Sequence, residues 1–295
     1  MSVDIPAGEG DGAPLVPSNG RGALLVLAAF AIFSATDAIV KIMAVAIPAP
    51  QVTFLVTVAA LVLLLLHALA TGRTRRLVPR QPALAFWRAL LLALDTLLIH
   101  YSFARLPLAE AYLIAFLTPI LVAVLGFFLL HERLSAIGWV GVLIGFAGVV
   151  VALKPGVAPL NLGHAAAFGS AVFFAFSLIL LRRAKMAETD EALVASVLVV
   201  MTPVALAVAL VSGGLVGVGT PALAYAAAGG AMMLGGHALL VRAFRVGEAS
   251  VVAPFQYSQI IWGCLYGVFL FATPVEMHTL VGAAIIIVSG WLVLK

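Results

Sequence analysis

Charged side chains are scarce in this 295-residue sequence: aspartate, glutamate, lysine and arginine together make up only 9% of it, against about 25% in soluble domains. A soluble protein of this length could not cover its surface with so few charges. The scarcity excludes nucleic-acid-binding proteins, disordered scaffolds and typical cytosolic enzymes. The chain is 64% hydrophobic, in long unbroken runs that predict an all-α membrane protein.

The sequence also lacks the motifs of several chemistries. Its single cysteine, Cys264, excludes an intrachain disulfide. It contains no phosphate-binding P-loop, no His-Glu-x-x-His and no Gly-x-Ser-x-Gly, so we expect neither ATP-driven transport nor an enzyme. No two histidines stand at metal-ligand spacing on one predicted helix. We therefore expect no metal ion, no cofactor and no nucleic-acid partner.

Lysine and arginine are absent before Arg21, where the sequence is rich in glycine, proline and acidic residues. We expect residues 1–21 to form a flexible cytoplasmic tail rather than a cleaved signal peptide.

The breaks between the apolar runs predict ten membrane-spanning helices of about 20 residues each. Proline, glycine or arginine marks most of these breaks, as in Leu106-Pro107 and Thr273-Pro274. The predicted spans are residues 22–44, 50–70, 83–103, 108–130, 135–153, 160–182, 192–212, 221–241, 248–271 and 278–294.

The basic residues are distributed unequally between the two sides of these spans. Thirteen lie on one side, and only Lys41, Arg105 and Lys154 lie on the other. Because cytoplasmic loops carry the excess of lysine and arginine, the basic side and both termini are predicted to be cytoplasmic. We call the basic side the inner end and the opposite side the outer end.

Two stretches of the sequence resemble each other. Residues Ala104–Ala111 are similar to Phe244–Ala249 with a two-residue gap, and each stretch opens a long helix with a mid-helix proline. We therefore predict two five-helix copies, which take opposite orientations because five is odd. Inverted repeats are typical of secondary transporters, whose substrate site lies near the midplane between the copies. The predicted copies are residues 22–153 and residues 160–295.

The first copy carries the motifs Ala109-Glu110-Ala111, Leu117-Thr118-Pro119-Ile120 and His131-Glu132-Arg133-Leu134, followed by a glycine-rich helix that predicts close helix packing. This pattern resembles the EamA domain, the repeat unit of the drug/metabolite transporter superfamily. The resemblance covers residues 22–295. It implies a ten-helix carrier in the bacterial inner membrane, and many members of the superfamily export amino acids or other metabolites.

Asp37 is the first candidate site residue, because a charge at the bilayer centre is costly and usually faces a cavity or a partner. It lies about 22 Å along the first predicted helix and shares a face with Ser34 and Lys41. Asp37 either binds an amine or a proton in the substrate path, with Ser34 beside it, or forms an i,i+4 ion pair with Lys41. The sequence leaves both interpretations open.

Three further polar residues lie on the third and fourth predicted helices. Asp95 lies about 18 Å along the third helix, with no lysine or arginine one turn away. It is a candidate for binding substrate or a proton, and a structural hydrogen bond is the alternative. Tyr101 is a candidate substrate contact nearer the outer end. Glu110 is a coupling candidate or a charge that suits the helix dipole.

Two prolines, Pro119 and Pro254, lie at depth in the fourth and ninth predicted helices. Each removes a backbone donor and frees a carbonyl group. Such interrupted helices are pivots or ligand contacts in carriers, so both prolines are gating candidates.

The ninth predicted helix also carries the densest polar cluster. Gln256, Tyr257 and Gln259 place hydrogen-bonding groups at mid-membrane, and Trp262 adds an aromatic surface. We predict that these four residues contact substrate. Hydrogen bonding between helices is the alternative.

Together these features predict a secondary transporter that works by alternating access and whose partners are a small-molecule substrate and membrane lipid. The preferred cargo is a small neutral metabolite, above all an exported amino acid with an apolar or aromatic side chain, threonine and methionine included. Nucleosides and cationic drugs are alternative cargoes. A channel-like pore and an intramembrane enzyme are the alternatives from other functional classes. The oligomeric state stays open, and a monomer is compatible with the sequence.

Overall fold

The computed structural model of the protein describes residues 19–130, 135–153, 159–184, 188–246 and 253–293. Several predicted features lie outside these residues. They are the tail residues 1–18, the motif His131–Leu134, Glu248 of the second repeat motif, and the basic residues Lys154, Lys185 and Lys295.

The described residues are helical, with short connections and no strand among them. Two short 3-10 helices, Thr74–Leu77 and Ala253–Ser258, accompany the α-helices. The α-helices are α1 (Asn19–Met43), α2 (Ala49–Ala70), α3 (Pro82–Phe103), α4 (Leu108–Ala115), α5 (Thr118–Leu130), α6 (Ala136–Leu153), α7 (Leu162–Ala184), α8 (Asp190–Val211), α9 (Thr220–Val246), α10 (Gln259–Phe271) and α11 (Met277–Val293).

Eight helical stretches within the described residues are long and apolar enough to cross a membrane. They coincide with the first eight predicted spans, and α4 and α5 together form the fourth. The chain is therefore a multi-pass membrane protein. The ninth and tenth predicted spans contain α10, with 13 residues, and α11, with 17 residues. Both helices are shorter than the other stretches, so the count of ten remains a prediction.

Helix boundaries follow the local sequence. Pro48 precedes α2 and Pro82 begins α3, positions where the missing proline N–H removes no helical hydrogen bond. Thr189 caps α8 by accepting a hydrogen bond from the backbone N–H of Ala192. Gly72 follows α2 with a φ of +66°, a conformation that glycine adopts without strain.

Both mid-helix prolines coincide with an interruption, as the sequence predicts. Helix α4 ends at Ala115, and α5 begins at Thr118 with Pro119 as its second residue. The backbone of Pro254 lies in the 3-10 helix that leads directly into α10. Because proline cannot donate to the preceding turn and clashes with it, the α-helical hydrogen-bond pattern stops between α4 and α5.

Small residues bring helices into close contact, which confirms the packing role predicted for the glycines of the fifth span. A Cβ atom on Gly282 of α11 would lie 2.8 Å from the Gly148 carbonyl oxygen of α6. A Cβ atom on Gly230 of α9 would lie 2.7 Å from the Ala60 backbone nitrogen of α2. Larger residues would separate these helix pairs, so the close approach depends on glycine.

Two hydrogen-bonded contacts join the helices at opposite ends of the bundle. In the outer clasp, the Gln51 side chain donates to the Val216 carbonyl oxygen at 2.8 Å and accepts from the Val216 N–H at 2.9 Å. In the inner clasp, the Glu188 carboxylate accepts hydrogen bonds from the backbone N–H groups of Arg80 and Gln81. Gln51 and Glu188 are both buried.

Replacing Glu188 with alanine should destabilise the protein. The two backbone N–H groups just before α3 would lose their charged acceptor, and the buried position of Glu188 would lose its hydrogen bonds. This lowers the free energy of unfolding by about 1–3 kcal/mol. Denaturant unfolding in detergent micelles measures this change. Glu191→Ala is the control, because this carboxylate is exposed and meets Arg76 only at 3.4 Å; its expected effect is below about 1 kcal/mol. Equal losses for both variants would contradict a structural role for the inner clasp.

Candidate functional site

Asp37 lies inside the helix bundle and accepts a hydrogen bond of 2.7 Å from the Tyr112 hydroxyl of α4. Tyr112 is only 2% exposed. Ser34, one turn earlier on α1, is buried near the Tyr112 hydroxyl. The Ser34 hydroxyl itself forms no hydrogen bond within the described residues. Asp37 itself keeps some accessible surface. Its carboxyl group is turned toward α4 by this hydrogen bond.

Asp95 has a similar environment on α3. Its carboxyl group accepts a short hydrogen bond from the Ser170 hydroxyl of α7. Ser170 is 2% exposed, whereas Asp95 keeps some accessible surface. The contact with α7 turns the carboxyl group toward the interior of the bundle, as Tyr112 does for Asp37.

The two carboxyl groups form one acidic centre, which we define as Asp37 and Asp95. They lie close enough to interact electrostatically. Among the described residues, no lysine, arginine or histidine lies within ion-pair distance of either. Their bonded partners are hydroxyl groups, which can donate a hydrogen bond but cannot neutralise a negative charge. The acidic centre can therefore accept a proton or a positively charged ligand group.

The ring of Tyr112 links the acidic centre to α10. It packs edge-on against Phe103 and stacks on Phe116, with ring centroids 5.5 Å and 6.5 Å away. On its other side lies Gly263 of α10, where a Cβ atom would stand 2.6 Å from a ring carbon. The missing side chain at Gly263 lets α10 reach the residue that holds Asp37.

Gln259 lies one turn before Gly263 on the same face of α10, so this face is directed at Tyr112. Gln256 and Gln259 are both partly exposed, and neither amide forms a hydrogen bond within the described part of the chain. Trp262 stacks on Tyr266 with centroids 6.3 Å apart. These residues offer free amide groups and an aromatic surface, and their contact with substrate remains a prediction.

Tyr257 is placed differently from its neighbours. Its ring packs edge-on against Phe116 at 5.1 Å, and its buried hydroxyl has no hydrogen-bond partner in the described residues. The hydroxyl is directed at Gly290 of α11, where an added Cβ atom would overlap it. Tyr257 therefore contacts α11 through its polar group.

The ion pair between Asp37 and Lys41, one of the two interpretations of the sequence, is wrong. The Lys41 ammonium donates to the carbonyl oxygens of Phe103 and Leu106, both at 2.6 Å, and lies 5.4 Å from the Phe271 ring centroid. The end of α3 leaves carbonyl groups without helical partners, and these attract a cation. The hydrogen-bond partner of Asp37 among the described residues is therefore the Tyr112 hydroxyl.

Two other predicted residues lie nearer the outer end. Glu110, in the first turn of α4, contacts the His164 ring nitrogen at 2.9 Å and so joins α4 to α7. The Tyr101 ring lies 5.0 Å from the Arg105 guanidinium carbon. Both side chains have partners of their own, and neither belongs to the acidic centre.

The direct partners of the two carboxyl groups, Tyr112 and Ser170, were not among the predicted site residues. Ser170 is a polar residue within an apolar helix, which is a usable signal. Its pairing with Asp95 depends on how α3 packs against α7, and a single sequence does not contain that information.

A cavity of about 460 Å³ lies between α1 and α9 near the inner end. None of the predicted site residues lines it. The lining residues are Arg21, Leu24, Leu25, Leu239, Arg242 and Val246.

A double-mutant cycle tests the contact between Tyr112 and Asp37. Tyr112→Phe and Asp37→Asn should show a coupling energy of about 1–3 kcal/mol in the free energy of unfolding, because each removes one partner of the same buried hydrogen bond. Denaturant unfolding in detergent measures it. The control cycle combines Tyr112→Phe with Asp95→Asn, whose carboxyl group bonds Ser170; we expect coupling below about 0.5 kcal/mol there. Equal coupling in both cycles would contradict the assigned partners.

The chain is similar to a known transporter family and to a protein of known structure. The model of the EamA-like transporter family matches residues 20–154, which contain α1 to α6. A crystal structure of a protein 21% identical in sequence has a TM-score of 0.65, covering 93% of this chain and 96% of that one. The two proteins share a fold.

Relatives with assigned names are similar over most of the chain. The riboflavin transporter of Vibrio cholerae is 24% identical, over 91% of each protein. The pseudopaline exporter CntI of Pseudomonas aeruginosa is 26% identical, over 91% of this chain and 94% of the exporter. The S-adenosylmethionine uptake transporter of Rickettsia bellii is 26% identical, over 70% of each protein.

These relatives are named as transporters of small molecules and not as enzymes. None of these three relatives is named as an amino acid exporter. The export of amino acids by this protein therefore remains a prediction. The chain is thus similar to EamA-like transporters over residues 20–154 and to named transporters of small molecules over most of its length.

Proposed function

We propose that this protein is a secondary carrier for small metabolites that bear an amine, with amino acids of apolar or aromatic character as the preferred exported cargo. The observation that carries the proposal is the acidic centre, where two carboxyl groups lie between helices and face no cation in the described residues. A protonated amine supplies the missing positive charge and donates hydrogen bonds to both groups.

We further propose that residues 22–153 and 160–295 are two five-helix units of opposite orientation. Exchanging the units converts α1 into α7, α2 into α8, and α3 into α9. The contact between α1 and α9 then becomes the contact between α7 and α3, and the contact between α2 and α9 becomes that between α8 and α3. All four contacts are present, which supports a two-fold relation.

The two clasps and the two interrupted helices obey the same exchange. The outer clasp joins the start of α2 to the segment before α9, and the inner clasp joins the segment before α8 to the start of α3. The interruption between α4 and α5 corresponds to the 3-10 helix before α10. Two similar halves around one central site favour alternating access, in which the halves rock about that site.

The chemistry around the acidic centre favours a cargo that is apolar apart from its charged groups. The rings of Trp262 and Tyr266 offer an apolar surface, and the free amides of Gln256 and Gln259 suit neutral polar groups. The P. aeruginosa relative is named an exporter, which is the proposed direction, and the R. bellii relative is named an uptake transporter.

A permanently cationic metabolite is the second candidate. The absence of a described cation at the acidic centre favours it. S-adenosylmethionine, the substrate in the name of the R. bellii relative, has both a positive charge and an amino-acid group. The same transport assay distinguishes the two candidates.

Counterflow in proteoliposomes tests the proposed function. Vesicles preloaded with unlabelled neutral amino acids should accumulate trace labelled phenylalanine, threonine or methionine, and S-adenosylmethionine is tested in parallel. We expect Asp37→Asn and Asp95→Asn each to reduce the initial rate at least about tenfold, the effect of losing one charge-assisted hydrogen bond of roughly 1.5 kcal/mol.

Matched variants sharpen this assay. Glu276→Gln alters an exposed carboxyl group that contacts His278 and should leave transport unchanged. Gln259→Ala should weaken transport, whereas Tyr257→Phe removes a hydroxyl directed at α11 and should not. Flux that does not saturate and ignores the preload indicates a pore. Carrier-type counterflow that survives both aspartate variants would contradict the assigned site.

A further inference from the structure

Arg88 is a partly buried charge that does not belong to the acidic centre. It lies on α3 two helical turns before Asp95, on the same face of the helix and about 10 Å nearer the inner end. The residue is only partly exposed.

The guanidinium group of Arg88 has few partners. Its Nε atom is buried and forms no hydrogen bond within the described residues. Its Nη1 atom reaches the Leu193 carbonyl oxygen of α8 only at 3.5 Å, at the long limit of a hydrogen bond. No described carboxylate lies within ion-pair distance of it. The ammonium of Lys41, by contrast, meets two carbonyl oxygens at 2.6 Å.

The neighbours of Arg88 place it inside the bundle. His237 of α9 lies within electrostatic reach of the guanidinium group. The His237 ring packs edge-on against Phe33 of α1 at 5.0 Å, and its Nδ1 atom bonds the Met233 carbonyl oxygen. The guanidinium group therefore lies near the same interior that α1 and α9 border.

The Nε atom of Arg88 is shielded from water and the guanidinium group has no counter-ion among the described residues. Because shielding a cation from water is costly unless an anion pairs with it, this arrangement favours an anionic partner that is present only part of the time. We propose that Arg88 binds the carboxylate of the cargo, on the inner side of Asp95. This inference rests on the proposed function and adds a second charged group to the cargo.

The free edge formed by Nε and one Nη atom matches a carboxylate through two parallel hydrogen bonds. In the proposed complex a small zwitterion lies between Arg88 and Asp95, whose backbone positions are about 10 Å apart along α3. Its amine lies toward the acidic centre and its carboxylate toward the inner end. The cargo class is therefore zwitterionic rather than simply cationic.

Three probes with one phenyl ring separate the two charges: phenylalanine has both, 2-phenylethylamine has only the amine, and phenylacetate has only the carboxylate. Calorimetric titration of the purified full-length protein measures their affinities. Arg88→Gln should weaken phenylalanine and phenylacetate by about 10- to 100-fold and leave 2-phenylethylamine nearly unchanged. Asp95→Asn should weaken phenylalanine and 2-phenylethylamine instead. Arg75→Gln alters an exposed arginine at the inner end and should change none of the three.

Arg88→Lys keeps the charge but not the two-pronged geometry, so it should restore only part of the affinity for the two carboxylate probes. It also serves as the comparison if Arg88→Gln does not fold. Full recovery with lysine, or equal loss for all three probes, would show a structural role and overturn the proposal.

The same titrations distinguish this inference from the proposed function. If the wild-type protein binds 2-phenylethylamine but neither carboxylate probe, the role of Arg88 is overturned and the amine-binding carrier stands. If it binds only phenylacetate, and Arg88→Gln abolishes that binding, the amine cargo is overturned and the role of Arg88 stands. Binding of none of the three overturns both.

Discussion

The cost of placing a charge inside a membrane governs the interior of this protein. Burying an ion without a partner lowers the stability of the fold by several kcal/mol. Near the outer end, the charged groups described above have hydrogen-bond or ion-pair partners. Lys41 bonds two carbonyl oxygens, and Glu110 pairs with His164. The carboxyl groups of Asp37 and Asp95 have only hydroxyl partners, and Arg88 has one long contact. The charges with few partners thus lie on α1 and α3, where we propose that the cargo binds.

Close helix packing gives this polar interior its position. Glycine at 148, 230 and 282 lets helices from the two halves of the chain approach to backbone contact. Gly263 does the same for α10 and the ring of Tyr112. Because Tyr112 also holds Asp37, a displacement of α10 would be transmitted to the acidic centre through a single ring. The interrupted helices on either side of this contact are where such a displacement could begin.

Sequence patterns predicted the framework better than the site. Eight of the predicted spans are long apolar helices, and Pro119 and Pro254 mark interruptions, because hydropathy and proline act locally along the chain. Asp37 and Asp95 were also identifiable, since a charge within an apolar run stands out. Their partners were not: the spacing of Asp37 and Lys41 suggested an ion pair, but the carbonyl groups ending α3 bind Lys41 instead. Tyr112 and Ser170 reach the carboxyl groups from other helices. Which helices pack together cannot be predicted from a local sequence pattern.

If the cargo binds at the acidic centre, it should shield Asp37 and Asp95 from chemical modification, and this is the measurement to make first. A hydrophobic carbodiimide modifies buried carboxyl groups, and peptide mass spectrometry locates each modified residue. We expect Asp37 and Asp95 to be modified in the membrane and saturating cargo to slow both reactions together, while modification of the exposed Glu276 is unaffected. Modification of Asp37 and Asp95 at the same rate with and without a cargo that the protein demonstrably transports would contradict binding at the acidic centre.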